Sequence, residues 1–433
     1  MTNPDIGGEP HSAQGGSVPL GLHSASPAEP VVLHTEERTP ILRRLHAVML
    51  AASAIFLVST FVSIAVNSLS MGLMALTWIA IMIIERRWRI VRTPLDLFFL
   101  GFVCVHAVST VFSADPLQSL VLAKRLLLIG LVYFFASELT TTRLTQRMVA
   151  VLLGTAATVA TIGVGKIVLG GPGENVRLGI FQFYMTTSEL LTIAILLVFP
   201  FIIHPGTPRR LRWLAVVASL PILISLWATV TRGAYLAAAT GLLFIALVRN
   251  RKFIVPLLLI LAATVLFAPP YIESRIKSII DPGHPENVSR IALWKAGIEI
   301  FKDHPVVGVG DIDLGTLIDQ YADPGLPRVW GHLHNVPLQI LVNFGLLGFV
   351  VVMGMLVKMF TTEWRVYRRV KERWFEGSLA LGTAAAFIGF CVNGLTEWSF
   401  GDQEVITLIW TTLGMVLSLD RLTPKNDIQS PTP

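Results

Sequence analysis

Charge is what this chain most conspicuously lacks. Asp, Glu, Lys and Arg make up 14% of its 433 residues, while 53% are hydrophobic. Soluble domains carry about 25% charged residues. A chain this poor in charge cannot hide its apolar surface in a water-soluble core, so a bilayer must solvate it. Cysteine is almost absent. Cys104 and Cys391 both fall in apolar segments, which argues against a disulfide framework or a thiolate metal site and reads as core filling. Also missing is a charged stretch followed by a short apolar core, so the expectation is no cleavable signal peptide and a first span that directs its own insertion. The net charge of +6 then calls for membrane lipids as the partner, and nucleic acid is not expected.

What is present is a succession of apolar stretches long enough for ~30 Å of hydrocarbon. They lie near 47–66, 68–84, 94–113, 117–136, 147–169, 188–204, 212–230, 233–248, 253–270, 336–359, 378–396 and 404–419. The expected fold is all-α, a polytopic membrane protein of about 12 transmembrane helices. Residues 1–40, rich in Pro, Gly and Ser, read as a disordered cytoplasmic tail; 41–420 form a single membrane domain, and 421–433 a second cytoplasmic tail. With the N-terminus inside, the inner segments hold 23 Lys and Arg and the outer connections eight, so the opposite orientation is disfavoured. The one large outer connection, 271–335, therefore faces the periplasm. Within it Ile291, Trp294, Ile298 and Phe301 recur at helical spacing between Asn287, a candidate N-cap, and Pro305. That predicts an amphipathic helix on the outer membrane surface. The glycines of "HPVVGVGDID" punctuate turns.

Three signals gather on the outer side. Arg232 sits in the minimal turn between spans seven and eight, where an arginine at the hydrocarbon edge costs free energy; a snorkelling helix anchor is the alternative. Arg290 begins the surface helix, one turn before Trp294, where a solvated interfacial arginine is the commoner reading. The third is "HLHNVPLQILVNFGLLG", which places His332 and His334 at the mouth of span ten. Asn335, Gln339 and Asn343 follow at intervals of four, three amides on one helix face. They serve either a wet site or interhelical hydrogen bonds. A helix N-terminus favours the neutral imidazole, the form that accepts a proton, as a general base must. His332 and His334 have no third ligand at convincing spacing, so no metal site is expected; Asp311 and Asp313 are among the scattered outer carboxylates. Guanidinium forks match diphosphate oxygens. A lipid-linked diphosphate is a leaving group anchored at this depth, and the histidine would deprotonate an attacking hydroxyl.

The motifs "TRGAYLA", "SRIALWKAGIEIFKDHPVVGVG" and "HNVPLQILVNFGLLG", in this order around a long outer loop, resemble the O-antigen ligase and polymerase superfamily of bacterial envelope glycosyltransferases. The resemblance covers roughly 225–350 closely. "ENVRLGIFQFYMTTSEL" resembles a further family segment, departing from its His-Pro-Asn pattern after the Phe. The resemblance implies that Arg232 and Arg290 hold undecaprenyl diphosphate, with Arg177 a softer third. His334 would be catalytic, and Asn335, Gln339 and His332 would contact the acceptor or support the site. It also implies an inverting enzyme of the inner membrane with no metal and no cofactor. The enzyme would move a glycan from undecaprenyl diphosphate to lipid A–core oligosaccharide. A polymerase or protein O-oligosaccharyltransferase shares the motifs. A lipid-linked glycan transporter, the rival from another class, calls for midplane charges and paired broken helices. Here only His106 lies in mid-span.

Overall fold

In the computed structural model, residues 40–170, 177–266, 270–279, 281–322 and 331–423 are described. The tails expected at 1–40 and 421–433 fall, apart from residues 40 and 421–423, outside them. Every expected span meets a helix. In chain order these are α1 (Pro40–Ser59), α2 (Ile64–Ile84), α3 (Asp96–Val111), α4 (Pro116–Leu122) continued through a 3-10 segment into α5 (Gly130–Glu138), and α6 (Thr142–Gly170). Next come α7 (Tyr184–Ile203), α8 (Arg209–Ala228), α9 (Arg232–Arg249) and α10 (Ile254–Leu266). Three helices lie between the spans, α11 (Pro270–Lys277), α12 (Pro285–Asp303) and α13 (Gly315–Tyr321), before α14 (Val336–Val370), α15 (Trp374–Asn393) and α16 (Gln403–Leu422). Among the described residues, ten helical segments are long and apolar enough to cross a membrane, with α3 a shorter apolar helix beside them. The protein is an all-α polytopic membrane protein.

Local chemistry sets the helix starts. Ser63 accepts from Val66 N, which begins α2 at Ile64, so the first span ends at Ser59 and not near 66. Asp115, followed by Pro116, caps α4, and Asp402 accepts from Glu404 N and Val405 N to cap α16. Helices α7, α15 and α16 form the centre, and α1, α2 and α8 the rim. The rim leaves Leu69, Leu76, Ile83, Leu214 and Val217 exposed. In water that would be an aggregating surface; in lipid it is solvated.

Helix α14 is broken. Gly345 has φ +63°, and an added Cβ there would lie 2.2 Å from Val306 O, so only glycine fits. The break frees carbonyls that the 305–311 segment takes up. Val309 N donates to Val342 O (3.0 Å) and Gly310 N to Asn343 O (2.9 Å), while Leu346 N donates to Pro305 O (2.9 Å). Backbone that would be orphaned in hydrocarbon is thus satisfied by protein. The glycines after His304 do more than punctuate turns: they let this segment lie against the upper half of α14.

Helix α12 departs from expectation in two ways. It starts at Pro285 with His284 as N-cap, three residues before the expected cap. Asn287 sits inside the helix, where its Nδ2 donates to Ser278 O and Asp281 O. The buried face is Leu293, Ala296, Gly297 and Ile300, packed with Leu314, Ile318, Leu333 and Val342, while Ile291 and Ile298 are exposed. The helix is therefore seated on α13 and α14, and is not simply laid on a bilayer.

Candidate active site

Helices α7, α9, α14 and α16 begin at one pole of the bundle, and α8 and α15 end there. This pole holds a cavity of about 600 Å³, lined among others by Arg177, Tyr184, Arg290, His332, His334 and Glu397. Three of the four proposed catalytic and donor-binding residues thus share one cavity. Arg232 does not line it. As the first residue of α9 it is buried, and its Nη1 donates to Ser278 O (2.7 Å) and Ser278 Oγ (2.9 Å). Its Nη2 reaches Glu286, which does line the cavity, at 3.0 Å.

Two carboxylates organise the arginines. Glu286, in the first turn of α12, pairs with Arg177 (2.7 Å), Arg232 (3.0 Å) and Arg275 (2.9 Å). Arg177 also donates to the Tyr184 hydroxyl and lies over its ring, 4.7 Å from the centroid. Glu397, in the connection between α15 and α16, accepts from Arg290 through Oε1 and faces His334 Nδ1 through Oε2 at 2.9 Å. Arginine outnumbers carboxylate in this paired cluster by four to two. Glu189 and Asp402 line the same cavity from α7 and the start of α16. Asp402 is engaged as a cap and by the Thr186 hydroxyl at 2.6 Å.

His334 is held by its surroundings. Its φ of +48° is a left-handed value that a non-glycine residue adopts only under constraint. The preceding peptide supplies that constraint, since Leu333 N donates to Gln339 Oε1 (2.7 Å) and Leu333 O accepts from Trp294 Nε1 (3.0 Å). On the other side Asn335 caps α14 by accepting from Leu338 N (2.9 Å), and its Nδ2 donates to Leu395 O (3.0 Å). Asn335 and Gln339 therefore occupy supporting positions. Facing Glu397, the neutral ring carries its hydrogen on Nδ1, because a carboxylate only accepts; its basic atom is Nε2. His332 packs edge-on against His334 with centroids 4.2 Å apart. Burial, and then its neighbour His334, push the His332 imidazole down to about 4.

Glu286, Glu397 and Arg275 are absent from the sequence reading. Glu286 lies four residues before Arg290, one helical turn away, and Glu397 stands in a short outer connection between two spans. Both were visible as carboxylates, but not as partners of arginines over a hundred positions away. Among the described residues no group of three or more His, Cys, Asp or Glu side chains is arranged to hold a metal ion. Asp311 is engaged instead with Arg125 and Asn343. His106 is not isolated: its Nε2 lies 3.8 Å from Asp311.

A membrane-embedded bundle with a charged, histidine-bearing cavity at one pole defines a polytopic membrane enzyme. Residues 217–353, just under a third of the chain, match the family model described as O-antigen ligase. Over that stretch the chain is similar to the O-antigen ligase family, which supports an inner-membrane enzyme of the glycosyltransferase type. The matched segment contains Arg232, Arg275, Glu286, Arg290 and His334, while Arg177 and Glu397 lie outside it. No curated protein matches the chain.

Proposed function

We propose that this enzyme transfers a preassembled glycan from undecaprenyl diphosphate to a sugar hydroxyl of lipid A–core oligosaccharide, at the periplasmic pole of the inner membrane. The observation that carries this reading is the convergence of Arg177, Arg232, Arg275 and Arg290 on two carboxylates beside His334. Glu286 demonstrates that an anionic group of carboxylate size can be held by three guanidiniums here. A diphosphate presents the same kind of oxygen, with more charge. Its entry draws Arg177 and Arg290 from the cavity wall, and Arg232 and Arg275 through exchange at Glu286.

In the reaction, His334 Nε2 takes the proton of the acceptor hydroxyl as its oxygen attacks the anomeric carbon. The carbon–oxygen bond to the diphosphate breaks, and its electron pair leaves on the phosphate oxygen, where the guanidiniums stabilise the charge that develops. Attack opposite the leaving group inverts the anomeric centre. Glu397 holds the imidazole in the required tautomer and supports the imidazolium that forms, while also tethering Arg290. The base and the donor site thus share one carboxylate. Because arginine neutralises the diphosphate, transfer is expected to proceed in EDTA.

The test is transfer by purified, reconstituted protein given an undecaprenyl diphosphate-linked glycan and lipid A–core. Glycan on lipid A–core, with release of undecaprenyl diphosphate, is the expected product pair. Longer glycan still attached to undecaprenyl diphosphate, with lipid A–core unused, would identify a polymerase instead.

A further inference from the structure

Arg125 also faces the cavity, although no motif singles it out. It projects from the tight 3-10 segment between α4 and α5, lines the same cavity as Arg290 and His334, and keeps 34% of its side chain exposed. Among the described residues only its Nη1 is engaged, by Asp311 Oδ2 at 3.1 Å and Oδ1 at 3.3 Å. A guanidinium has five N–H donors, so most of its hydrogen-bonding capacity remains on a cavity-lining group.

Asp311 is the buried end of a chain of hydrogen bonds that runs to the catalytic loop. Asn343 Nδ2 donates to Asp311 Oδ1 (3.1 Å), Gln339 Nε2 to Asn343 Oδ1 (3.0 Å), and Leu333 N to Gln339 Oε1 (2.7 Å). Gln339 and Asn343 are buried at 1% and 0% exposure. Both amides have a single workable orientation: flipping either would set N–H against N–H. Every donation points toward the carboxylate, an arrangement in which each bond strengthens the next. The chain ends on the N–H of Leu333, the residue before the left-handed His334. The α14 break places Asp311 here, because Val309 and Gly310 are bonded to Val342 and Asn343.

We propose that Arg125 is a further anion-binding residue of the cavity, contacting a phosphate oxygen of the lipid-linked diphosphate, and that Asp311 is a positioning residue. Asp311 fixes Arg125 on one side and, through Asn343 and Gln339, the His334 backbone on the other. This rests on the diphosphate-donor reading above. It adds that donor binding and base placement are joined by a second route besides Glu397.

Undecaprenyl diphosphate without a glycan is the probe, with binding to purified protein measured alongside turnover. Arg125→Met should weaken its binding by about tenfold, the scale of a charged hydrogen bond, and Arg125→Lys should recover part of that. Gln339→Leu touches no cavity contact; it should bind the probe as wild type does, yet turn over about tenfold to a hundredfold more slowly, as misplaced catalytic groups do. Gln339→Glu keeps the acceptor for Leu333 N and, when protonated, the donor to Asn343. Its turnover relative to wild type should therefore rise as pH falls, a recovery that Gln339→Leu should not show. Wild-type protein that fails to bind the probe would remove the donor reading and this inference with it. Wild-type binding matched by Arg125→Met removes the Arg125 contact alone, and wild-type turnover in Gln339→Leu removes the positioning chain.

Discussion

The two poles of the bundle use arginine differently. At the pole where α7 and α16 end, arginines satisfy backbone, and their carboxylate pairs, Arg369 with Asp420 (3.0 Å) and Arg249 with Glu372 (3.7 Å), lie away from the cavity. Arg212 Nη2 donates to His204 O (2.9 Å) and Pro205 O (3.0 Å) beyond the end of α7, and Arg369 Nη2 to Asp420 O near the end of α16. These are helix-terminal carbonyls with no intrahelical donor, and cations belong there. At the cavity pole Arg177 and Arg290 stand instead on carboxylates, within reach of a ligand. A guanidinium bonded to a carbonyl is architecture, because nothing displaces that carbonyl without unmaking the helix end. A guanidinium bonded to a carboxylate can exchange it for another anion. Arginine pairing alone does not locate the chemistry; the cavity, with His334 beside its arginines, does.

Substitutions that separate these two uses should differ in size. The largest effect is expected for Glu397→Gln, which keeps shape but removes the charge shared by Arg290 and His334; turnover should fall by about 10²–10⁴-fold, measured at normal membrane abundance. Near-normal turnover in that variant would remove Glu397 from the mechanism. Next, Arg290→Lys and Arg232→Lys should each lose about tenfold to a hundredfold, since a point charge does not reproduce a fork on phosphate oxygens. Full activity in the lysine variants beside dead alanine variants would mean that charge alone suffices.

The pH dependence sharpens the distinction between the two histidines. His332 is held down to about 4, against about 6.5 unfolded. The unfolded chain therefore binds a proton that the native protein refuses between those values, so native stability is lost as pH falls from about 6.5 toward 4. His332→Gln should flatten that loss in thermal unfolding, while leaving the pH profile of the transfer rate where it was. A profile displaced by His332→Gln would make His332 the titrating base. The smallest effect is expected at the opposite pole, where Arg212→Ala should lower abundance or stability and leave turnover per molecule unchanged. The two poles also differ in access: Gly283→Cys should react with an impermeant maleimide from the periplasm and Glu372→Cys should not, and the reverse would invert the orientation.

The helices were legible because twenty apolar residues have one physical meaning in a chain with so little charge. The amide stripe was legible too, since lipid-facing amides are costly, and Gln339 and Asn343 are indeed buried. Which face of α12 turns inward was not. In water, apolar periodicity identifies the core side; beside lipid, Ile291 and Ile298 are as apolar on the exposed face as Leu293 and Ile300 are on the buried one. The α14 break was hidden as well, because Gly345 is one glycine in an apolar run and its necessity lies in Val306, 39 positions earlier. The same distance concealed the carboxylates. Arg290 and His334 share Glu397 only after α12, α14 and the α15–α16 connection have packed.

Donor binding read beside transfer divides the site most directly. Purified His334→Ala should bind undecaprenyl diphosphate-linked glycan as wild type does, yet fail to transfer it, whereas Arg290→Ala should fail at binding. His334→Ala protein that transfers normally, or that fails because it no longer binds donor, would contradict a base at His334 acting on a diphosphate held by arginine.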